Sequence, residues 1–211
     1  MTPRPQVDGR VVCFGEVLVR LSAPAGETLL QSPGLRACIG GAEANVAVSL
    51  ARYGHDVAMV SALPDNELGA TARDCLRAHG VDTQGIAFRQ GRMGLYFLTP
   101  GAVLRPAEII YDRAGSVFAS AESSLYDWPA LLDGAAWLHV SGVTPAVGEQ
   151  AALAVLAAMR CARELGVQVS FDGTYRSSLW AARGTDGAEL LHGLMRHADL
   201  AFADQRDIAL V

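Results

Sequence analysis

The sequence predicts an α/β fold: a Rossmann-like, mostly parallel sheet with helices on both faces, and a small β-sheet cover beside it. Three observations predict this. Short apolar, β-branched runs alternate with segments of helical periodicity, as βαβ units do. The helical segments stop at glycines, at Gly54, Gly80 and Gly166. Between residues 92 and 116 the alternation breaks, and two β-rich runs flank a Pro/Gly turn with no helix between them.

The elements follow in order. "RVVCFGEVLVRL" is a β-branched run interrupted at Gly15 and Glu16, a strand that leaves its sheet at a turn. Ala44, Ala47, Val48 and Ala51 recur at helical spacing, which predicts a helix over 43–53. "HDVAMVSAL" is a second strand. "PDNELGATARDCLRAHG" opens with Asp65 or Asn66 as N-cap and makes a second helix ending at Gly80. "GLYFLTPGAVLRPAEIIYDRAGS" reads as a hairpin, which joins residues 17–36 in a flap over the main sheet. "AAWLHVSG" is a third strand, Glu149 to Leu165 a long helix, and "VQVSFD" a fourth strand. Residues 187–197 read as helix and "ADLAFAD" as a short strand, with the start of another helix after it. The expected organisation is one α/β domain over 1–211, with a lid formed by about 17–36 and 92–116.

Bulk composition narrows the function. Half of the 211 residues are hydrophobic, enough for a genuine core. The formal net charge is −5 and no Lys/Arg cluster appears, which argues against a nucleic-acid partner. Uncharged stretches are short and broken by Gly and Pro, so no membrane span is expected. The N-terminus lacks the apolar core of a secretory signal, and Cys13, Cys38, Cys75 and Cys161 form no CxxC pair. Reduced thiols in a cytoplasmic protein are the expectation. There is no Walker A loop, no GxGxxG, no HExxH and no GxSxG.

Ligands of open α/β sheets collect at the carboxyl ends of the strands. Four segments fall there: Gly15-Glu16; Gly40-Gly41 with Glu43 and Asn45 in the first turn of the helix; Ser141-Gly142; and "FDGTYRSSLW", with Asp172 and Arg176. Glycines at a helix start let backbone approach a polar ligand, and the Asn45 amide can both donate and accept to adjacent hydroxyls. A plain glycine turn with Asn45 as a local cap fits the spacing equally well. Arg176 has the geometry to grip a carboxylate, or to pair with a nearby acid. Tyr96, Tyr111 and Arg113 lie on the two flap strands, as a cover for a sugar acid or as ordinary strand residues.

Taken together, "VVCFGEVLVRLSAP", "GGAEANVAVSLARYG", "LPDNELGATARDCLRAHGVDT", "GLYFL", "YDRAGSVFAS", "LHVSGVTPA" and "SFDGTYRSSLW" resemble, in order, the PfkB (ribokinase-like) carbohydrate kinases, within them the 2-keto-3-deoxygluconate kinases. The resemblance runs from about Val11 to Leu210. It implies a ribokinase-like fold whose β-lid closes over the sugar and often pairs two subunits, here a homodimer through the lid. It implies transfer of the ATP γ-phosphoryl group to a sugar hydroxyl with Mg²⁺. By the same likeness Gly41 and Asn45 contact sugar hydroxyls, Tyr96 packs over the substrate, and Tyr111, Arg113 and Arg176 hold the keto-acid end. The expected cleft grips its anionic sugar through Arg176, Arg113 and Asn45 at once.

The departures carry expectations too. The family's catalytic base lies in a Gly-Ala-Gly-Asp segment that this sequence does not contain, so no residue here is assigned as catalytic. The C-terminal part of the fold and most of the nucleotide pocket are expected to be missing, and the chain alone is expected to be inactive and prone to associate through an unpaired sheet edge. Where the family reads Asp-x-Asn-x-Arg, this chain has Asp172 to Arg176 with Thr174 at the Asn position. Where it reads Asn-x-x-Glu, this chain has Asp204 and Asp207, candidate oxygen ligands for Mg²⁺ or simply the polar start of a helix. A sugar-acid binding or regulatory protein without catalysis is the alternative these replacements leave open.

Overall fold

The computed structural model describes residues 9–210. The chain runs β1 (Arg10–Phe14), β2 (Leu18–Ser22), β3 (Arg36–Gly40), α1 (Ala42–Arg52), β4 (Val57–Pro64), α2 (Glu67–Ala78), β5 (Ile86–Arg89), β6 (Leu95–Thr99) and β7 (Glu108–Asp112). It continues through α3 (Val117–Ser120), α4 (Trp128–Leu131), β8 (Ala135–Ser141), α5 (Val143–Val147), α6 (Glu149–Leu165), β9 (Gln168–Asp172), α7 (Ser177–Ala182), α8 (Ala188–Met195), β10 (Leu200–Phe202) and α9 (Gln205–Leu210).

Six strands form one sheet in the order β10-β9-β8-β1-β4-β5, with every pairing parallel. In chain order the sheet grows outward from β1 through β4 and β5, then restarts on its other side with β8, β9 and β10. That reversal is a topological switch point between β1 and β8, where open α/β sheets hold their ligands. β1 explains why the sheet needs helices on both faces. Val12 and Phe14 point into a core shared with α6, where Ala154, Val155, Ala158 and Ala162 are buried. Val11 and Cys13 point the other way, into a core with Ala44 and Ala47 of α1 and Ala72 and Leu76 of α2. Alternate residues serve opposite faces because successive side chains of a strand diverge.

Local chemistry sets several element ends. The Asn66 side chain accepts from the Gly69 amide at 3.2 Å, so Asn66 rather than Asp65 caps α2. Gly166 closes α6 in the left-handed conformation at φ 72°. β5, the edge strand next to β4, has no counterpart in the sequence reading. Its four residues are too few for a periodic signal, and its register, Ser61 with Ile86 through Pro64 with Arg89, comes from β4.

The second sheet has the order β3-β2-β6-β7. β6 and β7 pair antiparallel, as the hairpin reading expects, and so do β2 and β3, whereas β2 and β6 run parallel. Its strands come from 18–22, 36–40, 95–99 and 108–112. Among the described residues no helix is long and apolar enough to cross a membrane.

Candidate active site

The site begins where β1 ends. Gly15 and Glu16 turn the chain out of the first sheet toward the second, and the Ser61 hydroxyl donates to the Gly15 carbonyl at 2.7 Å. Gly15 tolerates no side chain, since a Cβ there would sit 2.0 Å from Oε2 of Glu43. The turn is therefore built around two carboxylates, Glu16 and Glu43, each only 1% exposed.

Glu43 is in the first turn of α1, near the positive end of the helix. Its Oε1 accepts from the Ser141 amide at 3.1 Å, the Ser141 hydroxyl at 2.6 Å and the Thr144 hydroxyl at 2.6 Å. Ser141 ends β8, so Glu43 ties α1 across the switch point. Glu16 does the corresponding work for the second sheet. Its Oε2 accepts from Nε of Arg113 at 2.6 Å, and its Oε1 accepts from the Ser116 hydroxyl at 2.6 Å. Ser116 is also the N-cap of α3, accepting from the Ala119 amide at 3.1 Å. Arg113 is 6% exposed, so this is a buried ion pair. Gly94, just before β6, lies against the same carboxylate: a Cβ there would meet Glu16 Oε1 at 2.2 Å. Both ends of the β6–β7 hairpin thus close on Glu16.

This contact orients the second sheet. Residues two apart on a strand share a face. Gly94 and Arg113 abut Glu16, so Tyr96 and Tyr111 share the face turned toward the end of β1. They are register partners, with ring centroids 6.1 Å apart and planes inclined by 54°. The Arg113 guanidinium carbon lies 6.0 Å from the Tyr111 ring centre. The structure therefore brings Tyr96, Tyr111 and Arg113 together, but Arg113 is not an open cation: its Nε is committed to Glu16.

Gly41 is the N-cap of α1, at φ 154°, a conformation that favours glycine. A Cβ there would lie 2.3 Å from the Glu16 carbonyl oxygen. The glycine is required by the close approach of the Glu16 backbone, whatever it also does for a ligand. Gly40 differs: the nearest atom to a Cβ there is Oδ1 of Asn45, at 3.9 Å. Asn45 does not cap α1, so the plain-cap reading is set aside; its exposed amide lies beside the open side of Gly40.

Arg176 lies elsewhere. It is exposed at the start of α7 and pairs with no carboxylate among the described residues. It lines a cavity of about 860 Å³ at the carboxyl ends of β9 and β10, with Asp172, Thr174, Tyr175, Asp204 and Asp207. Neither Arg113 nor Asn45 lines that cavity. Asp204 and Asp207, read as candidate metal ligands, each accept the other's backbone amide at the start of α9. The Asp207 amide donates to Asp204 Oδ1 at 2.9 Å, and the Asp204 amide donates to Asp207 Oδ2 at 3.1 Å. The other Asp207 oxygen accepts from the Tyr175 amide at 3.0 Å. Among the described residues no cluster of three or more His, Cys, Asp or Glu can hold a metal. Thr174 turns back on Asp172, its hydroxyl donating to Oδ1 at 2.7 Å.

Sequence reasoning placed Glu16 and Glu43 at strand and helix ends without seeing that both are buried hubs. The available signal was a lone charge inside each of two largely apolar runs, "VVCFGEVLV" and "IGGAEANVAV". His139 is a third buried polar group, its Nδ1 3.1 Å from the Ser170 hydroxyl. Burial lowers its pKa below the ordinary 6.5, against the opposing pull of Glu43 and Asp172. The folded protein thus holds a neutral imidazole that the unfolded chain protonates first. Stability from this group is complete above about pH 6.5 and is lost as pH falls through the lowered folded value. The urea midpoint is expected to fall between pH 7.5 and pH 5, and to fall less in His139→Gln. An equal fall in both proteins would remove His139 as the cause.

Comparison with known proteins agrees with this geometry. Residues 8–211 match the sequence pattern of the pfkB family carbohydrate kinases. A 2-dehydro-3-deoxygalactonokinase of Haloferax volcanii is 35% identical over 95% of this chain and 62% of its own length. The crystal structure of 2-dehydro-3-deoxygluconokinase from Thermotoga maritima superposes with a TM-score of 0.91 at 40% identity, over 99% of this chain and 63% of that one. A fructokinase from Xylella fastidiosa with bound ATP superposes with a TM-score of 0.81 at 26% identity, over 92% of this chain and 61% of that one. The chain spans about three fifths of the length of these relatives.

Proposed function

The chain belongs to the pfkB carbohydrate kinase family, and from that premise we propose that it carries the sugar-binding part of an ATP-dependent kinase for a sugar acid, 2-keto-3-deoxygluconate or a close relative. The observation that carries the proposal is the second sheet latched by Glu16 over the end of β1, with Tyr96, Tyr111 and Arg113 turned toward the switch point. The names of the Haloferax and Thermotoga relatives support an acidic sugar, and the ATP complex of the Xylella protein supports ATP as phosphoryl donor.

In this proposal the tyrosine pair covers the sugar and excludes water, while Asn45 donates to and accepts from its hydroxyls beside the open side of Gly40. Arg176 offers a guanidinium at the β9 end. In the family-type reaction a sugar hydroxyl oxygen bonds to the γ-phosphorus, the bond to the β-phosphate oxygen breaks, and the hydroxyl proton passes to a base. No residue is assigned as that base, because the sequence contains no Gly-Ala-Gly-Asp segment. Nor is a Mg²⁺ site assigned: both oxygens of Asp207 accept backbone amides, and no cation cluster forms among the described residues.

Calorimetry with 2-keto-3-deoxygluconate and with fructose tests the reading. Tighter binding of the acid is expected, together with no ATP-dependent phosphorylation by these 211 residues alone. Equal or tighter binding of fructose would reject the sugar-acid assignment. Phosphorylation at a useful rate would reject the expected inactivity.

A further inference from the structure

A cavity of about 430 Å³ opens beyond the carboxyl end of β5, on the sheet edge opposite β10. None of the residues assigned to the sugar lines it. Its size falls within the range of small-molecule sites, about 300–1,000 Å³. One wall is Arg89 and Gln90, at the end of β5. The other is α3 and the segment after it, which present an apolar strip of Val117, Ala121 and Leu125 together with Glu122 and Ser124. Both walls are fixed. The Asp65 amide donates to the Arg89 carbonyl at 2.8 Å, and the Ser123 amide donates to the Gln150 side chain of α6 at 3.2 Å. The Val117 amide donates to the Arg92 carbonyl at 3.0 Å, which joins the walls at one end.

The two walls carry opposite charges that do not meet. Arg89 donates from Nη1 to the adjacent Phe88 carbonyl at 2.8 Å, and Glu122 accepts the Ser124 hydroxyl at 3.3 Å. Neither forms an ion pair among the described residues. A guanidinium and a carboxylate held apart on one cavity suit a molecule with both charges, because a single charge is repelled by one wall. A second observation points the same way. Tyr126, next to Leu125, is 6% exposed, and its hydroxyl has no hydrogen-bond partner. Buried polar atoms in native proteins are almost always satisfied. Burial first and Glu16 second raise the Tyr126 pKa, while Arg89 lowers it. The hydroxyl is therefore within electrostatic reach of both the cavity and the Glu16 latch.

We propose that this cavity is a second ligand site, which takes an α-amino acid with an apolar side chain. Arg89 holds the carboxylate through parallel N–H groups, Glu122 holds the ammonium group, and the side chain lies along Val117, Ala121 and Leu125. A ligand bound there ties the end of β5 to α3, whose N-cap Ser116 donates to Glu16. It thereby braces the latch of the second sheet from the side away from the sugar. The site stands independently of the sugar-acid reading.

The test is thermal melting of the chain with L-alanine, L-valine, L-leucine and L-phenylalanine, and with isocaproate and isoamylamine, the two singly charged counterparts of leucine. At saturation at least one amino acid is expected to raise Tm by about 2–5 °C. Neither singly charged compound is expected to match leucine. Arg89→Met and Glu122→Gln are expected to melt like the unaltered protein without ligand, since both residues are exposed, and each to weaken amino-acid binding by about tenfold. No rise with any of the amino acids overturns the proposal. So does an equal rise with isocaproate or isoamylamine, which makes the site one for a single charge. Unchanged amino-acid binding in both variants overturns it as well. Should Arg89→Met melt lower without ligand, the Glu122→Gln titration decides.

Discussion

Replacing Arg113 by methionine is expected to destabilise the fold by about 3–5 kcal/mol, read from the urea midpoint at neutral pH. The size follows from what is left behind. Glu16 is 1% exposed and its only cationic partner among the described residues is Arg113, at 2.6 Å, so the variant strands a carboxylate in a site with almost no water. Ser116 still donates to Glu16, one neutral hydroxyl against a full charge. A second variant separates charge from packing. Glu16→Leu combined with Arg113→Met removes both charges, and Ser116 keeps its bond from the Ala119 amide. The double variant is expected to recover most of the loss, because a buried pair is costly to break and nearly neutral to replace. A double variant no more stable than Arg113→Met would show that the arginine acts through packing alone.

Glu43→Ala is expected to cost a similar amount, about 3–5 kcal/mol, for a different reason. Among the described residues no cation pairs with Glu43. One carboxylate oxygen gathers the Ser141 amide and the Ser141 and Thr144 hydroxyls, and truncation leaves these donors buried without their acceptor. Cys13 responds to the same group: burial first, and the Glu43 charge second, push its thiol pKa up, so it stays protonated. Glu43→Gln keeps an acceptor oxygen in place and is expected to lose only about 1–2 kcal/mol. Equal destabilisation by Ala and Gln would show that the negative charge, not the hydrogen bonds, holds α1 to the end of β8.

The two carboxylates show what one sequence can and cannot say about itself. Strands and helices were legible because their causes are local. Val11 to Phe14 alternate between two cores, Ala44 and Ala47 recur on one side of α1, Asn66 caps α2, and Gly166 takes the left-handed turn that ends α6. The parallel sheet followed from their alternation, and the hairpin from its Pro/Gly turn. β5 escaped because four residues on a sheet edge take their conformation from β4 rather than from any pattern of their own.

For the site, residue types were legible and their partnerships were not. Tyr96, Tyr111 and Arg113 lie together on the second sheet, yet Arg113 is paired with Glu16, 97 residues earlier. Glu43 meets Ser141 across 98 residues. Gly41 serves a backbone approach to Glu16 that no spacing rule contains. Asp204 and Asp207 cap a helix because their backbone amides lie within reach of each other's carboxylates. Sequence determined the layered α/β architecture, since periodicity and caps act within a few residues. Only the folded chain decided which charges are neutralised and which remain open to a ligand, because Coulomb and hydrogen-bond partners are chosen by distance in space, over a few ångströms, after the strands have closed on one another.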